Sequence, residues 1–224
     1  MYTNIIAVIM EKGGVGKTTI ALNLAVAAIQ NGRSVAVIDI DSQATASNWT
    51  DRRTQEHPWV VPTHAARLGA AIDQAKARGV DFIVIDTPPH SGADAAAAAR
   101  CADLVLVPVE PHVFALETLP KLADLLKLAG NPPVLFLVNK AATQGTEGDN
   151  AVDHIKTQGF SVCPVILHLR AAHRHATNIG KVATEYDPDS KAAQEVLQIY
   201  MYTLRFLKSS RKPHAKAKPT HARA

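Results

Sequence analysis

A glycine-rich segment near the N-terminus constrains this chain more than any other feature. Residues 12–19 read Lys-Gly-Gly-Val-Gly-Lys-Thr-Thr and lie between a β-branched run at residues 5–9 and an alanine-rich stretch that begins at Lys17. This order predicts a strand, a glycine loop and a helix. In such a loop, backbone N–H groups surround a polyphosphate at the positive end of the helix. The segment therefore predicts a phosphate-binding loop.

Individual residues of this loop have distinct predicted roles. Lys17 is placed to reach the β- and γ-phosphates of ATP, and Thr18 to hold Mg²⁺. The predicted nucleotide contacts are Gly13, Gly14, Val15, Gly16, Lys17, Thr18 and Thr19.

Lys12 is not required by the general motif GxxxxGK[ST]. A lysine at this position loses hydration unless it faces an anion, and a phosphate held by a second subunit is such an anion. Lys12 therefore suggests a nucleotide-sandwich dimer, in which it acts with Lys17 in catalysis.

Composition favours one soluble domain followed by a tail. The chain has 224 residues, of which 47% are hydrophobic and 20% charged, and one core of that size is common. It has no apolar run near the roughly 20 residues that span a bilayer, and its first residues lack an export signal. We expect a cytoplasmic protein. Cys101 and Cys163 lack the spacing of a zinc or iron–sulfur site.

Positive charge is concentrated at the C-terminus. The formal net charge is +4, and the last 20 residues contain seven lysines and arginines but no acid. We predict a P-loop ATPase domain at residues 1–208 and a basic, disordered tail at residues 209–224. Such a tail attracts nucleic acid or an acidic membrane surface.

Apolar runs alternate with segments of helical length along the chain. This alternation predicts an α/β fold of the P-loop NTPase type: a three-layer sandwich with a mostly parallel, twisted sheet flanked by helices. The runs are residues 5–9, 35–38, 82–85, 104–107, 134–138 and 162–166, and the helical segments are residues 17–30, 43–53, 68–78, 92–101, 116–129, 150–158 and 190–207.

Polar residues at the strand ends extend the predicted site, because ligands of open α/β sheets bind at the carboxyl ends of the strands. Asp86 ends the third run and is predicted to hold Mg²⁺ directly or through water. Asp41 is the better candidate to orient or deprotonate the attacking water, and Asp39 would support magnesium or the loop. Simple polar strand ends are the alternative for Asp39 and Asp41.

Asn139 follows the fifth run. Its amide both donates and accepts hydrogen bonds, which suits N6 and N7 of adenine. A turn-capping asparagine is the alternative.

Taken together, these motifs resemble ParA-type partition ATPases of the deviant Walker A family, which also includes MinD. The resemblance covers residues 4–207. It is carried by residues 12–19, by Asp-Ile-Asp-Ser-Gln at 39–43, by Ile-Asp-Thr-Pro-Pro at 85–89 and by residues 102–109. Residues 185–193 strengthen the resemblance to ParA over MinD. Two departures are Ser42, where the family often has proline, and Glu11 before the signature lysine.

The resemblance implies an ATP-dependent homodimer with ATP and Mg²⁺ as cofactors. Lys12 would reach the partner's phosphates, while Lys17, Thr18, Asp41 and Asp86 act within one subunit. It also implies binding to non-specific DNA, release after hydrolysis stimulated by a centromere-binding adaptor, and association with the nucleoid. Four residues before the first run leave no room for a helix-turn-helix, so we expect DNA contacts from the ATPase body or the tail.

Candidate DNA contacts are cationic residues in the last quarter of the chain. Ordinary solvated side chains are the alternative for each of them. The candidates are Arg170, Arg174, Lys181, Arg205, Lys208, Arg211 and Lys212.

Other members of this class remain open from the sequence. A MinD-like membrane-associated ATPase shares every nucleotide residue, although the apolar stripe of residues 190–207 is more typical of core packing than of a membrane anchor. A positioning ATPase with a non-DNA cargo would have the same chemistry. A reductase of the iron-protein type is disfavoured, because the cysteine ligands of such a protein are missing from this sequence. A metabolic synthase is disfavoured as well, because the sequence indicates no substrate pocket.

Overall fold

The computed structural model describes residues 2–112 and 119–210. Within them, the chain forms a seven-stranded parallel sheet with strand order β3-β2-β4-β1-β5-β6-β7. The strands are β1 (Asn4–Val8), β2 (Val35–Asp39), β3 (Trp59–Pro62), β4 (Phe82–Asp86), β5 (Leu104–Val109), β6 (Val134–Ala141) and β7 (Leu167–His168). The predicted α/β fold is confirmed.

Helices cover both faces of this sheet. They are α1 (Lys17–Gln30), α2 (Thr45–Thr50), α3 (Leu68–Ala77), α4 (Gly92–Cys101), α5 (Leu119–Leu128), α6 (Glu147–Thr157), α7 (Ala171–Asn178), α8 (Ala183–Tyr186) and α9 (Lys191–Ser210), with a 3₁₀ turn at Ala65–Arg67.

The apolar runs become buried strands because both faces of the sheet are covered. Successive side chains of a strand point to opposite faces. In β1, Ile5 and Ala7 belong to one core layer, whereas Ile6 and Val8 belong to the other. The first layer contains residues of α3, α4, α5 and α6, and the second contains residues of α1 and α9. Two such layers require uninterrupted apolar strands.

The predicted position of the last strand, residues 162–166, was wrong. Val162 forms only an isolated bridge with Phe136, and the paired strand is β7, at Leu167–His168. Pro164 lies in the middle of the predicted run, and proline has no N–H to donate to a sheet ladder. The short elements β3, α7 and α8 were not predicted.

Several element ends also differ from the prediction. Helix α2 is shorter than residues 43–53, and α9 continues to Ser210, past the expected domain boundary at residue 208. The predicted helix at residues 116–129 begins outside the described residues. Most of the predicted tail at residues 209–224 also lies outside them.

Candidate functional site

The phosphate loop connects the end of β1 to the start of α1, as predicted. Gly14 and Gly16 adopt left-handed backbone conformations with φ values of 77° and 91°. Gly16 is the N-cap residue of α1 and offers no side-chain cap. The first N–H groups of a helix have no partners within the helix, and they carry its positive partial charge. This end of α1 is therefore open to a negatively charged ligand.

Lys17 is the first residue of α1, and only 6% of it is exposed. Its Nζ donates to the main-chain oxygen of Lys12 at 3.3 Å. Burial lowers the pKa of Lys17, while the charges of Asp86 and Asp41 raise it. The ammonium is thus drawn under the loop, where a phosphate would restore the interactions that it loses on leaving water.

Asp86 ends β4 with no exposed surface. Neither of its carboxylate oxygens has a hydrogen-bond partner within the described residues. Burial raises the pKa of Asp86 to about 7, although the Thr18 side chain and Lys17 lower it. These two groups offset burial only in part, and a buried carboxylate with so little compensation is costly unless a cation binds it.

Mg²⁺ fits this position. The described residues hold no group of three histidine, cysteine or acidic side chains able to bind a metal. Mg²⁺ suits such a site, because it is usually bound by one or two carboxylates together with phosphates and water. Asp86 and Thr18 would hold the ion, and the ion would neutralise charge on the phosphates of a bound nucleotide.

Asp39 lies beside Asp86, because β2 and β4 pair with these two residues in register. Its surroundings are different. One Asp39 oxygen accepts from the backbone N–H of Asp41 at 3.1 Å, and the other accepts from that of Ser47 at 3.3 Å. Between the two roles predicted for Asp39, this geometry favours support of the loop.

Asp41 follows β2 and is half-buried. Its Oδ1 accepts from the backbone N–H of Gln43 at 2.9 Å. Asp41 is close enough to influence the pKa of both Lys17 and Asp86 through its charge. This position agrees with its predicted role beside the phosphates.

Asn139 also reaches the phosphate loop. Its Nδ2 donates to the main-chain oxygen of Val15 at 2.6 Å. A Cβ atom on Gly16 would lie 2.5 Å from this nitrogen, so only glycine fits there. One hydrogen of the Asn139 amide is thus engaged by the loop.

A cavity of about 310 Å³ adjoins the loop on the Asn139 side. Helix α7 and the residues before it form the opposite wall. The cavity is large enough for a purine base. Its lining includes Gly16, Thr19, Asn139, Leu169, Arg170 and Arg174.

Lys12 lies at the rim of the loop, and 41% of its side chain is exposed. Its Nζ is 3.1 Å from Oε2 of Glu110, directly after β5. The other oxygen of Glu110 is 3.2 Å from Nζ of Lys140. Burial raises the pKa of Glu110, but the hydrogen bonds from the two lysines lower it by more. The net shift of the Glu110 pKa is therefore downward.

Sequence reasoning missed Glu110 and Lys140. The available signal was their position, since both lie at the carboxyl ends of strands, like the acids that were identified.

The candidate DNA contacts fall into separate groups. Arg170 is half-buried, and its Nη2 is 2.6 Å from Oε1 of Glu195, which also contacts His168. Arg174 is exposed at the mouth of the cavity. Lys181 is half-buried, and its main-chain oxygen accepts from Nε1 of Trp49 at 3.1 Å.

The other described candidates lie on α9. Arg205 and Lys208 are exposed, and the Arg205 guanidinium lies 5.8 Å from the centre of the Tyr202 ring. Arg205 is ten residues beyond Glu195, which is about 15 Å along a helix. The structure therefore does not bring Arg205 and Arg170 together. Arg211 and Lys212 lie outside the described residues.

Comparison with known proteins agrees with this site. Residues 6–210 match the family model described as the CobQ/CobB/MinD/ParA nucleotide binding domain. The chromosome partitioning protein ParA of Myxococcus xanthus is 28% identical, over 87% of this chain and 86% of its own. The maintenance of carboxysome distribution protein A of Gloeobacter kilaueensis is 36% identical, over 88% of this chain and 94% of its own.

Solved structures share the fold. The septum site-determining protein MinD of Pyrococcus horikoshii, solved with Mg-ADP, has a TM-score of 0.72 and 21% identity, covering 94% of this chain and all of that one. Cobyrinic acid a,c-diamide synthase of Mycobacterium smegmatis, solved with an ATP analogue and magnesium, has a TM-score of 0.67 and 20% identity, over 94% and 98% of the two chains. The family match includes the phosphate loop, the buried lysine and the strand-end carboxylates. The chain therefore belongs to the CobQ/CobB/MinD/ParA nucleotide-binding family, and it is an ATPase.

Proposed function

We propose that this ATPase is a DNA-partition ATPase that dimerises on ATP and binds DNA without sequence preference. Hydrolysis, stimulated by a centromere-binding adaptor, then releases the DNA. ATP and Mg²⁺ occupy the phosphate loop of each subunit, and Asp41 orients the attacking water. Among its relatives, the Thermus thermophilus protein named chromosome-partitioning ATPase Soj is 26% identical over 84% of this chain.

The arrangement of the two loop lysines supports the dimer. Lys17 is buried beneath the loop, whereas Lys12 extends to the rim with 41% of its side chain exposed. A phosphate loop needs one lysine for the nucleotide that it binds, and Lys17 fills that role. Lys12 is paired with Glu110 in this structure, and at the rim it could exchange that carboxylate for phosphates held by a second copy.

The outer face of α9 carries the proposal for DNA. This face, defined by the exposed residues 191, 194, 198, 201, 205 and 208, includes three cations and no acid. The only acid of α9 is Glu195, which is already paired with Arg170 and His168. An exposed cationic face without competing acids is suited to DNA phosphates.

A binding titration tests the proposal. Purified protein is mixed with a random-sequence DNA duplex in the presence of no nucleotide, ADP, ATP or a non-hydrolysable ATP analogue, across a salt series. We expect binding with ATP or the analogue only, with a log–log salt slope of roughly −0.9 for each phosphate neutralised. Absence of DNA binding in every nucleotide state, despite ATP binding, would refute the proposal.

A second candidate is an ATPase that positions a non-DNA cargo. It is favoured by the 36% identity to the carboxysome distribution protein of Gloeobacter kilaueensis. Affinity capture with the ATP-bound protein, from an extract of the source cell, distinguishes the two cargoes. Capture of a centromere-binding protein supports partition, whereas capture of a component of a protein assembly supports positioning of a non-DNA cargo.

The structure gives less support to a MinD-like membrane role. Within the described residues, no helix combines the length and apolarity needed to cross a bilayer, although a peripheral anchor needs no such helix. The apolar stripe of α9 packs inward instead, since Val196, Tyr200 and Leu207 are at most 2% exposed. Flotation with anionic vesicles checks this point, and ATP-dependent co-flotation would favour the membrane role.

A further inference from the structure

The end of β6 is irregular beside the phosphate loop. The pairing of β6 with β7 shifts register between Asn139 and Ala141. Lys140, between them, has a φ of 56°, a conformation that is costly for a residue with a Cβ atom. Such strain persists where the surrounding structure enforces it, and it often marks a functional position.

The irregularity changes where two neighbouring side chains point. In a regular strand, residues 139 and 140 would face opposite sides of the sheet, and a bulge redirects them. Here both contact the phosphate loop. Asn139 Nδ2 donates to the main-chain oxygen of Val15, and Lys140 Nζ donates to that of Gly14.

These two contacts fix consecutive peptide groups of the loop. In a trans peptide, the carbonyl and the following N–H point in opposite directions. Holding the oxygens of Gly14 and Val15 toward β6 therefore turns the N–H groups of Val15 and Gly16 away from it. Glycines at positions 14 and 16, both with positive φ, would otherwise leave the loop many alternative conformations.

Glu110 holds the lysine in this position. Its Oε1 is 3.2 Å from Lys140 Nζ, and only 16% of the Glu110 side chain is exposed. Its other oxygen binds Lys12. One carboxylate thus ties both lysines to the end of β5.

We propose that Lys140 is a positioning residue for the phosphate loop. Its ammonium, anchored by Glu110, fixes the Gly14 carbonyl so that the N–H groups of the loop face the β- and γ-phosphates before nucleotide binds. Lys140 acts through the loop and does not itself touch the phosphates.

The test compares nucleotides that do and do not reach the loop. Lys140→Met removes the ammonium and keeps an apolar stem, Lys140→Arg keeps a charged donor, and Lys156→Met removes a surface lysine that pairs with Asp153 on α6. Dissociation constants for ADP and AMP are measured for the full chain by competition against a fluorescent ATP analogue. AMP lacks the phosphates that the loop surrounds.

We expect Lys140→Met to weaken ADP binding about 10-fold, in line with the loss of a hydrogen bond from a charged group, and AMP binding by less than about twofold. Lys140→Arg recovers most of the loss, and Lys156→Met changes neither constant. Equal losses for ADP and AMP, an unchanged ADP constant, or no recovery with arginine would overturn the proposal.

Hydrogen exchange of the nucleotide-free protein gives a readout that does not depend on binding. Amides of residues 13–16 should exchange faster in Lys140→Met than in wild type, while the core strands are unchanged. Glu110→Gln, which frees Lys140 without removing it, should raise exchange at the same amides. Wild-type exchange at residues 13–16 in both variants would contradict the positioning role.

Discussion

The nucleotide edge of the sheet and the outer face of α9 hold their charges in opposite ways. The nucleotide edge consists of the phosphate loop with Asp39, Asp86 and Asn139, and its Lys17 and Asp86 are buried. The outer face of α9 leaves Arg205 and Lys208 in solvent. A buried charge interacts strongly and is costly when unpaired, whereas an exposed charge is screened. Single substitutions should therefore have large effects at the edge and small, cumulative effects on α9.

The largest effect is expected at Asp86. Asp86→Asn removes the proposed Mg²⁺ ligand and should reduce ATP hydrolysis by about 10²-fold or more, because metal stabilisation of the transferred phosphoryl group is lost. The same substitution removes a buried negative charge and should stabilise the nucleotide-free protein at pH values above about 7, where Asp86 is ionised. Steady-state hydrolysis and thermal unfolding measure the two effects.

Asp39→Asn is the matched control for Asp86→Asn, because Asp39 is equally buried but accepts two backbone N–H groups. It should destabilise the protein, since an amide cannot accept both. If both variants were destabilised equally, the distinction between the two acids would fail.

The raised pKa of Asp86 should also make the free energy of unfolding depend on pH. The pKa of Asp86 rises from 3.8 to about 7 on folding without metal. The folded state therefore retains a proton that the unfolded state has lost, and stability from this group falls as pH rises from about 4 to about 7. In urea unfolding across this range, the stability of wild type should fall relative to that of Asp86→Asn, and the difference between the two isolates Asp86 from the other groups that titrate there.

Lys12→Ala should separate dimerisation from nucleotide binding. Its ammonium lies at the rim, so ADP affinity should stay within about twofold. Loss of the charge proposed to reach the partner's phosphates should lower hydrolysis by about 10²-fold. Light scattering with a non-hydrolysable ATP analogue should show a monomer. A stable dimer of this variant with normal hydrolysis would remove the role of Lys12 between subunits.

Gly16→Ala tests the tight contact between the loop and β6. It places a Cβ 2.5 Å from Asn139 Nδ2 at a φ of 91°, whereas Gly32, with a φ of 77°, has nothing within 4 Å. Gly32→Ala should cost about 1–2 kcal/mol from the backbone alone. Gly16→Ala should cost more in unfolding free energy and should also weaken ATP binding. Equal costs would mean that the contact with Asn139 adjusts freely.

The smallest effects are expected on α9. The double substitution Arg205→Ala and Lys208→Ala should reduce the salt slope of DNA binding by about one for each cation that contacts phosphate, with hydrolysis in the absence of DNA unchanged. Lys127→Ala with Lys156→Ala removes two exposed lysines on α5 and α6 as a control. Equal losses in the two double variants would mean that net charge alone drives binding.

Local patterns were sufficient for most of the nucleotide edge. The loop, Lys17 and Asp86 were predicted because each depends on residues that are adjacent in sequence: a strand, a glycine turn and a helix, or four apolar residues before an acid. The contacts of Lys140 and Glu110 could not be predicted in this way. Lys140 reaches Gly14 across 126 positions, and Glu110 reaches Lys12 across 98.

By itself, the sequence determined the parallel sheet and the position of the phosphate loop, because apolar runs and glycine motifs act over a few residues. Only the tertiary structure decided which of two neighbouring acids accepts backbone hydrogen bonds and which has none among the described residues. It also decided that Arg170 is paired with Glu195 while Arg205 is exposed. Burial and pairing depend on residues brought together by the fold, and these set the energy of each charge.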